Sequence, residues 1–521
     1  MNLMHSLAYR SPAKIARRQF LGAAAAAAAL LPARALWASV SGTGVMPAEV
    51  AAVSLDGKPV TLTGTDLNEL RAGLKGSLLL AQDVGYDEAR RVWNGSIDRH
   101  PALIARCASR EDMVRAVQFA SAHSLLTAVK GGGHSLSGQS TCEGGLMIDL
   151  SSMRRIEVDR AKRLARVEPG VLLAQLDAEC QASGLVTPLG TAADTGIAGL
   201  TLGGGQGRLM RKFGLSCDNV ESFELVTADG KLRTASAVEN PDLYWALRGG
   251  GGNYGAVSAF EYRLHPLAHP VLAGGRVYPF AEARAVVAGV AELAASAPDE
   301  LYLDCAIFNS SGHGELPQGS YVEVEFVYCG EPRKGERFLA PLDKLGKPLS
   351  DTVKAKPYVV AQNGATGAAP QALPAGLGVY VRSGFLQTIS GKFIDELIHA
   401  FEQGPPWLND IGFGPIGGQV ARVKPDATAY WNRSAEYELL MGASWVDHAE
   451  DEHNIAVMRD LWKVFEPLTR GYYVNTEPSA AEARLKATYG DNYARLVQIK
   501  DQYDPKNLFR LNANIRPSVH A

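Results

Sequence analysis

The sequence predicts an α+β protein of at least two domains, the second built on an antiparallel sheet backed by helices. Its 521 residues exceed the roughly 250 to 300 at which a single hydrophobic core stops growing. Strand patterns alternate with helical patterns over residues 99–270, whereas two-residue alternation marks strands within 271–470. Hydrophobic residues make up 46% of the chain and charged residues 21%, which is typical of a globular protein.

The first 38 residues are expected to be an export signal. Residues 16–32, ARRQFLGAAAAAAALLP, join the basic pair Arg17 and Arg18 to an alanine-rich run too short to span a bilayer comfortably. This stretch resembles a twin-arginine signal, although an alanine-rich leader helix is the alternative. We therefore expect export by the twin-arginine machinery to the periplasm or the medium, followed by an N-terminal extension over 39–98. No later segment reaches 18 uncharged apolar residues, so no stable membrane insertion is expected.

The first domain, residues 99–270, carries a local signal for each element. Ser109 begins a helix in the manner of a capping box, and a second helix is predicted over 171–183 with Gly184 after it. Asp229 and Gly230 predict a hairpin between FELVTA and KLRTAS.

The second domain, residues 271–470, is expected to hold a half-exposed antiparallel sheet. Alternation places Val322 and Val324 on one face and Glu323 and Glu325 on the other. Ser390 is expected to cap a helix, and residues 349–377, rich in Ala, Pro and Gly, are expected to be loop. A C-terminal segment follows over 471–521.

Composition argues against nucleic acid and metal as partners. The formal net charge of -3 gives no electrostatic footprint for nucleic acid, so a small-molecule partner is expected. The six cysteines form no Cys-x-x-Cys pair, and His448 and His453 would not share a helix face, so no metal site is expected. Cys305 and Cys329 could pair in an exported protein, but buried free thiols are favoured.

Three glycine-rich stretches share one explanation. They are VKGGGHSLSGQ (129–139), GIAGLTLGGGQG (196–207) and LRGGGGNYG (247–255). Backbone amides without side chains in the way can line an elongated anionic ligand. A nicotinamide-binding Rossmann site is the rival reading. Such a site contacts the ribose through an acidic residue at a strand end about 20 residues after the glycines, and this sequence has no acidic residue there.

These stretches resemble the flavin domain of the berberine-bridge-enzyme-like FAD-linked oxidases, within the vanillyl-alcohol-oxidase superfamily. The resemblance extends through NPDLYWALRGGGGNYGAVSAFEYRLHP and the closing YGDNYARLVQIKDQYDPKNLFRLNANIRP. It implies a two-part FAD-binding domain of the PCMH type over 99–270, a substrate domain over 271–470, and a segment over 471–521 that returns to the first domain.

The resemblance also implies how the flavin is held. In the resembling enzymes the histidine after the glycines bonds covalently to the flavin 8α-methyl group, and His134 matches that position. Many plant relatives add a cysteine link, but Ala192 stands at about that place, so attachment through His134 alone is expected. The residues expected to bind FAD are His134, Gly131, Gly132, Gly133, Ser135, Gly138, Gln139, Thr195, Gly196, Gly199, Gly203, Gly204, Gly205, Gly207, Val257, Asn512 and Asn514.

Catalytic residues are expected on two C-terminal segments. YWNRSAEYELLMGASW resembles the strand that fronts the flavin, and alternation puts Glu438 on one face with Leu440, where many relatives carry Gln or Glu. Tyr473 matches a tyrosine near the flavin, and Thr476 replaces a second one. Tyr473 is the first candidate for an acid, a base or an orienting hydroxyl, and Glu438 is the second.

The leading hypothesis is an exported FAD-linked oxidase that takes hydride from a small alcohol, sugar or amine and passes electrons to O2, releasing H2O2. A quinone or cytochrome acceptor would make it a dehydrogenase instead. A flavin-binding protein without turnover is the competing class, and Leu440 is its support.

Overall fold

The computed structural model describes residues 46–312, 316–363, 376–476 and 481–518, so the expected export signal lies outside the described residues. The α+β class is confirmed, because helices pack on three larger sheets. Among the described helices, none has the length and apolarity needed to cross a bilayer.

The first sheet has four strands in the order β3-β4-β6-β5, with β4, β5 and β6 parallel. A hairpin, β1 with β2, precedes it, and its residues pack in the same core. The strands are β1 (Glu49–Val53), β2 (Pro59–Thr63), β3 (Ser77–Leu79), β4 (Leu103–Arg106), β5 (Thr127–Lys130) and β6 (Leu146–Asp149). The helices are α1 (Gly64–Gly73), α2 (Tyr86–Arg90) and α3 (Arg110–Ala122).

The second sheet has five antiparallel strands in the order β11-β10-β12-β8-β7, and a small pair, β9 with β13, lies beside it. Its strands are β7 (Ile156–Asp159), β8 (Leu164–Val167), β9 (Leu185–Val186), β10 (Val220–Val226), β11 (Leu232–Ser236), β12 (Ala256–Arg263) and β13 (His265–Pro266). Its helices are α4 (Leu173–Ala182), α5 (Ile197–Leu202), α6 (Met210–Phe213) and α7 (Pro241–Leu247). The hairpin expected at Asp229 and Gly230 is confirmed by the pairing of β10 with β11.

The third sheet has eight strands in the order β17-β14-β16-β15-β20-β21-β19, and β18 also pairs with β14. They are β14 (Val271–Pro279), β15 (Leu301–Ser311), β16 (Gln318–Tyr328), β17 (Ser350–Asp351), β18 (Lys354–Lys356), β19 (Gly378–Leu386), β20 (Leu408–Pro415) and β21 (Tyr437–Trp445). The helices of this part are α8 (Ala283–Ala295), α9 (Pro332–Gly335), α10 (Tyr358–Asn363), α11 (Gly391–Gln403), α12 (Gly418–Arg422) and α13 (Asp451–Phe465). Helices α8, α11 and α13 share one core with this sheet, as expected for a sheet backed by helices.

The last two helices, α14 (Glu482–Tyr489) and α15 (Tyr493–Tyr503), do not pack on the third sheet. Leu485, Leu496 and Ile499 lie in the core of the second sheet. The C-terminal segment therefore returns to the body that carries the glycine stretches.

Helix capping follows the sequence signals. The Ser109 hydroxyl accepts the amide N–H of Asp112, and the Ser390 hydroxyl accepts that of Phe393. Each bond satisfies one of the free amides in the first turn of a helix. Both expected helix starts are confirmed.

Two expectations about the second domain need correction. The expected loop over 349–377 contains β17, β18 and α10, because its short strands pair with β14; residues 364–375 lie outside the described residues. The polar face of β16 is not a solvent face. Glu325 on that face is only 7% exposed, because the first domain covers it.

Three buried arginines, Arg208, Arg211 and Arg433, join the two domains, and we call them the interdomain arginines. Arg208 Nε lies 2.7 Å from Glu325 Oε1, and Arg211 donates to the carbonyl oxygens of Ile416 and Ala297 at 3.0 Å. Arg433 makes two 2.7 Å bonds to the carboxylate of Asp218. Breaking such a buried pair by removing one partner costs about 3–5 kcal/mol.

All six cysteines are buried and free. The favoured expectation of free thiols is confirmed, and Cys305 and Cys329 do not pair.

Candidate active site

The three glycine stretches lie around one cavity of 350 Å³ at the junction of the two domains. Strand β5 ends at Lys130, and the following loop supplies residues 131–136 to the wall. Helix α5 and the loop before it supply a second wall, and residues 251–257 supply a third. The C-terminal segment closes the cavity with residues 509–513.

Most of the expected cofactor residues lie in this wall. They are Gly131, Gly132, Gly133, His134, Ser135, Gln139, Thr195, Gly196, Gly199, Val257 and Asn512. The wall therefore contains residues from every segment that the sequence singled out.

Six expected residues do not line this cavity: Gly138, Gly203, Gly204, Gly205, Gly207 and Asn514. At the five glycines among them, the absence of a side chain permits close packing. A Cβ at Gly205 would lie 2.2 Å from Ser216 Oγ, and one at Gly207 would lie 1.8 Å from the Leu189 carbonyl oxygen. Gly138 takes φ +72°, a turn conformation that favours glycine.

The cavity wall has the openings that a phosphate-bearing ligand needs. A Cβ built on Gly199 or Gly252 would meet nothing within 4 Å, so it would project into empty cavity. Two polar atoms of the wall also lack a hydrogen-bond partner among the described residues: the Asn512 side-chain oxygen and the Ser140 hydroxyl are buried without one. Because buried polar atoms are normally bonded, a polar ligand fits here.

His134 is held in a defined setting. Its ring stacks on Trp93 with centroids 4.4 Å apart, and its Nε2 lies 3.6 Å from Asp194 Oδ1. Burial would raise the pKa of Asp194, but the adjacent His134 outweighs it, and the pKa lies below its usual value. Asp194 is therefore a carboxylate beside the ring.

A second cavity of 120 Å³ adjoins the first. Five residues line both of them: Thr191, Ala192, Thr195, Leu200 and Thr476. Its other lining residues include Tyr473 and Glu438, the two catalytic candidates. A molecule in the small cavity would therefore contact a molecule in the large one.

Hydrogen bonds hold the Tyr473 hydroxyl group in place. Its oxygen accepts the amide N–H of Gly205 at 3.0 Å and the Asn475 side-chain N–H at 2.8 Å. Burial and then the neighbouring Glu438 raise its pKa above the usual value, so the hydroxyl keeps its proton. The geometry therefore suits an orienting donor better than a base.

Glu438 is the buried acid of the site. Alternation along β21 is as expected: Leu439 and Met441 face the helix-backed core, while Leu440 lines the large cavity and Glu438 the small one. Glu438 is 1% exposed, and neither carboxylate oxygen has a hydrogen-bond partner in the described part of the chain. Burial raises the pKa of Glu438 to about 8.

Sequence reasoning missed three residues of the site: Trp93, Asp194 and Asp304. Trp93 lies in the expected N-terminal extension, where no local pattern marks it. Asp194 stands within the Thr-Ala-Ala-Asp-Thr stretch beside the second glycine run, so its position was a usable signal. Asp304 lies within an alternating strand, and the sequence does not show which residues of the other domain its side chain faces.

No metal centre is found in the described ranges, since no group of three or more His, Cys, Asp or Glu side chains there could hold a metal ion.

Comparison with known proteins agrees with this site. Residues 101–236 match the family described as "FAD binding domain", and residues 472–516 match "Berberine and berberine like". The chain is 31% identical over 455 residues to an FAD-linked oxidoreductase of Dictyostelium discoideum, covering 87% of this chain and 97% of that protein.

Two further matches concern nicotine oxidases. The chain is 30% identical over 461 residues to (R)-6-hydroxynicotine oxidase of Paenarthrobacter nicotinovorans, covering 85% of this chain and 97% of that protein. The crystal structure of 6-hydroxy-D-nicotine oxidase from Arthrobacter nicotinovorans superposes with a TM-score of 0.75 at 28% identity, covering 85% and 98% of the two chains. The family matches, these relatives and the glycine-lined cavity together identify the protein as an FAD-dependent oxidoreductase of the berberine-bridge-enzyme-like family.

Proposed function

We propose that this protein is an exported oxidase that carries FAD tethered through His134 and oxidises a small alcohol, sugar or amine. The observation that carries the proposal is the setting of His134, which lines the glycine cavity with its Nε2 3.6 Å from the Asp194 carboxylate. FAD fits the cavity because bare glycines leave room for it and unpaired polar atoms line the wall.

The glycine amides, Asn512 and Ser140 would hold the cofactor, and His134 would form the tether. The chemistry that bound FAD supplies is acceptance of a hydride from a carbon next to oxygen or nitrogen, with the two electrons leaving to O2 as H2O2. Ala192 lines both cavities and has no sulfur, so the proposal includes one tether and not two.

The residues of the small cavity orient the substrate and handle its proton. Tyr473 donates its hydroxyl hydrogen to the substrate, because its oxygen is already occupied by amide donors. Glu438 is the group in this wall whose pKa, about 8, suits proton exchange near neutral pH. Glu438 is a buried acid two residues before Leu440. Its presence favours an enzyme with turnover and argues against a flavin carrier without catalysis.

The tether is tested by acid precipitation of the purified protein. We expect yellow colour to stay in the pellet for the native chain, and to move to the supernatant for His134→Ala. His453→Ala, which alters an exposed histidine on α13, is the matched control and should keep its colour. Release of flavin from the native protein by acid would contradict the tether.

Turnover is tested by a screen of sugars, alcohols and amines under air and under nitrogen. Substrate-dependent H2O2 release under air supports an oxidase. Bleaching of the flavin band under nitrogen with no peroxide under air, together with reduction of a quinone, would instead support a dehydrogenase.

Export rests on residues 16–32 alone. In a host with a working twin-arginine system, we expect the native chain in the periplasm or medium. Conservative replacement of Arg17 and Arg18 by Lys should leave the protein in the cytoplasm, and unchanged export of that variant would contradict this route.

A further inference from the structure

Residues 91–99, which follow α2, run along the loop after β5, and we call them the crossing segment. The amide N–H of Trp93 donates to the Gly133 carbonyl oxygen at 2.8 Å. Farther along, the Arg99 guanidinium group donates to the Gly138 carbonyl oxygen at 2.7 Å. The crossing segment therefore bonds to this loop on both sides of its histidine.

Asn94 of the crossing segment also reaches the third sheet. Its side-chain nitrogen donates to the carbonyl oxygens of Leu136 at 2.6 Å and of Val379 at 3.0 Å, and its side-chain oxygen accepts the Val379 amide N–H at 3.1 Å. Asn94 is only 3% exposed, and hydrogen bonds are stronger in such a setting than in water. One buried side chain thus joins the His134 loop to β19, whose Val381 lines the large cavity.

Lys130, the last residue of β5, holds the start of the crossing segment. Its buried ammonium group donates to the carbonyl oxygens of Ala89 at 2.6 Å and of Arg91 at 2.8 Å. Lys130 directly precedes the three glycines of the first stretch. The crossing segment and the His134 loop are therefore fastened to each other before either reaches the cavity.

Trp93 places its indole ring against the imidazole ring of His134. The ring centroids are 4.4 Å apart and the ring planes differ by 26°. Both residues line the large cavity. The indole also packs in an apolar cluster with Val379 and Leu440, which restricts its own rotation.

The Asp194 carboxylate completes the setting of the imidazole. Its Oδ1 lies 3.6 Å from His134 Nε2. Burial acts to raise the pKa of Asp194, but His134 and, to a smaller degree, Trp93 lower it, and it lies below its usual value. The imidazole thus has an aromatic face on one of its sides and a carboxylate near one of its nitrogens. Together these contacts restrict its rotation about the side-chain bonds.

A covalent tether demands such an orientation. When the bond forms, a ring nitrogen of His134 joins the 8α carbon of the flavin. The imidazole N–H and one C–H of the 8α-methyl group break, and O2 takes the two electrons and two protons as H2O2. Reacting atoms must first meet at about 3–3.5 Å with correct alignment. An imidazole that rotates freely spends less time in that position, so it would react more slowly.

Resting on the proposed tether, we propose that Trp93 is a positioning residue for covalent attachment of the flavin. Its indole holds the His134 ring toward the bound cofactor, and Asn94 holds the loop of that histidine against the third sheet. Both residues lie before residue 101, where the match to the FAD-binding family begins. The crossing segment therefore contributes to the attachment site from outside the matched domain.

The test compares total flavin with covalent flavin in each purified protein. Absorbance of the intact protein gives total flavin, and acid precipitation leaves only covalent flavin in the pellet. We expect Trp93→Leu to keep most of its flavin while its covalent fraction falls at least tenfold, since a misplacement of about 1 Å can cost a hundredfold in rate. Trp93→Phe keeps an aromatic face and should restore most of the covalent fraction.

Two further variants separate positioning from packing. Trp407→Leu is the matched control: Trp407 is also half-buried, but it packs on Trp445 in the core of the third sheet and is not among the described residues that line either cavity. Its covalent fraction should equal that of the native protein. Asn94→Ala leaves the indole in place but frees the loop, and it should lower the covalent fraction severalfold.

A native covalent fraction in Trp93→Leu would overturn the positioning role, as would an equal loss in Trp93→Phe and Trp93→Leu. Loss of total flavin from Trp93→Leu, with the remaining flavin all covalent, would also overturn it, because that result is expected of a packing residue. Should Trp93→Leu fail to fold, an unchanged covalent fraction in Asn94→Ala would count against the proposal in the same way. Acid-released flavin from the native protein would instead refute the proposed tether itself.

Discussion

Two glycines of the cavity wall should respond oppositely to the same added methyl group. Gly199 lies in α5, and a Cβ there meets nothing within 4 Å. A Cβ on Gly132 would lie 2.5 Å from the Gly196 Cα and 2.6 Å from its amide nitrogen. Carbon atoms in contact prefer about 3.5–4.0 Å, so the two backbone segments at Gly132 would have to move apart by about 1 Å.

The magnitudes follow from these contacts. Gly199→Ala should keep or raise the free energy of unfolding of the flavin-free protein by up to about 1 kcal/mol, because alanine favours a helix over glycine. Gly132→Ala should lower it by about 1–3 kcal/mol, the usual cost of overpacking. Gly199→Ala should nevertheless bind FAD at least tenfold more weakly, because its new methyl group occupies cofactor space.

The assay needs protein from which flavin can be removed. Both substitutions are therefore made in the His134→Ala background, and each purified protein is dialysed to remove its flavin. Urea unfolding followed by circular dichroism gives stability, and quenching of FAD fluorescence gives affinity. A Gly199→Ala protein that binds FAD as tightly as its parent would refute the prediction that FAD lies against Gly199. A Gly132→Ala protein of unchanged stability would refute the close backbone crossing.

Two further outcomes are expected. Asp194→Asn should lower the fraction of flavin that resists acid release, while FAD still binds without a covalent bond. The fraction is measured from the yellow colour of pellet and supernatant after acid precipitation. An unchanged covalent fraction would exclude a role for this carboxylate in forming the tether. Tyr473→Phe should cost about 1–3 kcal/mol of stability and lower kcat, because the N–H donors at its oxygen lose their acceptor. Tyr472→Phe removes a buried hydroxyl that has no hydrogen-bond partner among the described residues, and it should be nearly neutral in urea unfolding.

Local signals were sufficient for the parts of the fold that depend on neighbours in sequence. The caps at Ser109 and Ser390 and the turn at Asp229 depend on residues within three or four positions, and the structure has all three. The short strands β17 and β18 gave no such signal, because only their pairing with β14 makes them strands.

The candidate site divides in the same way. Gly131, Gly132 and Gly133 of the first run all reached the cavity, because one short loop carries them. The second run did not: Gly203 to Gly207 pack against distant residues such as Asn475 and Ser216, and no sequence spacing shows those contacts. The burial of Glu438 could not be predicted either, because the sequence shows an alternating strand but not that the other domain covers its polar face.

The interdomain arginines restrict how the enzyme can exchange substrate for product. Rotating the two domains apart would separate Arg208 and Arg433 from the carboxylates they pair with, and Arg211 from two carbonyl oxygens, so these contacts favour the closed arrangement of the domains. We therefore expect substrate and product to reach and leave the cavities without a rotation of one domain against the other in each catalytic cycle.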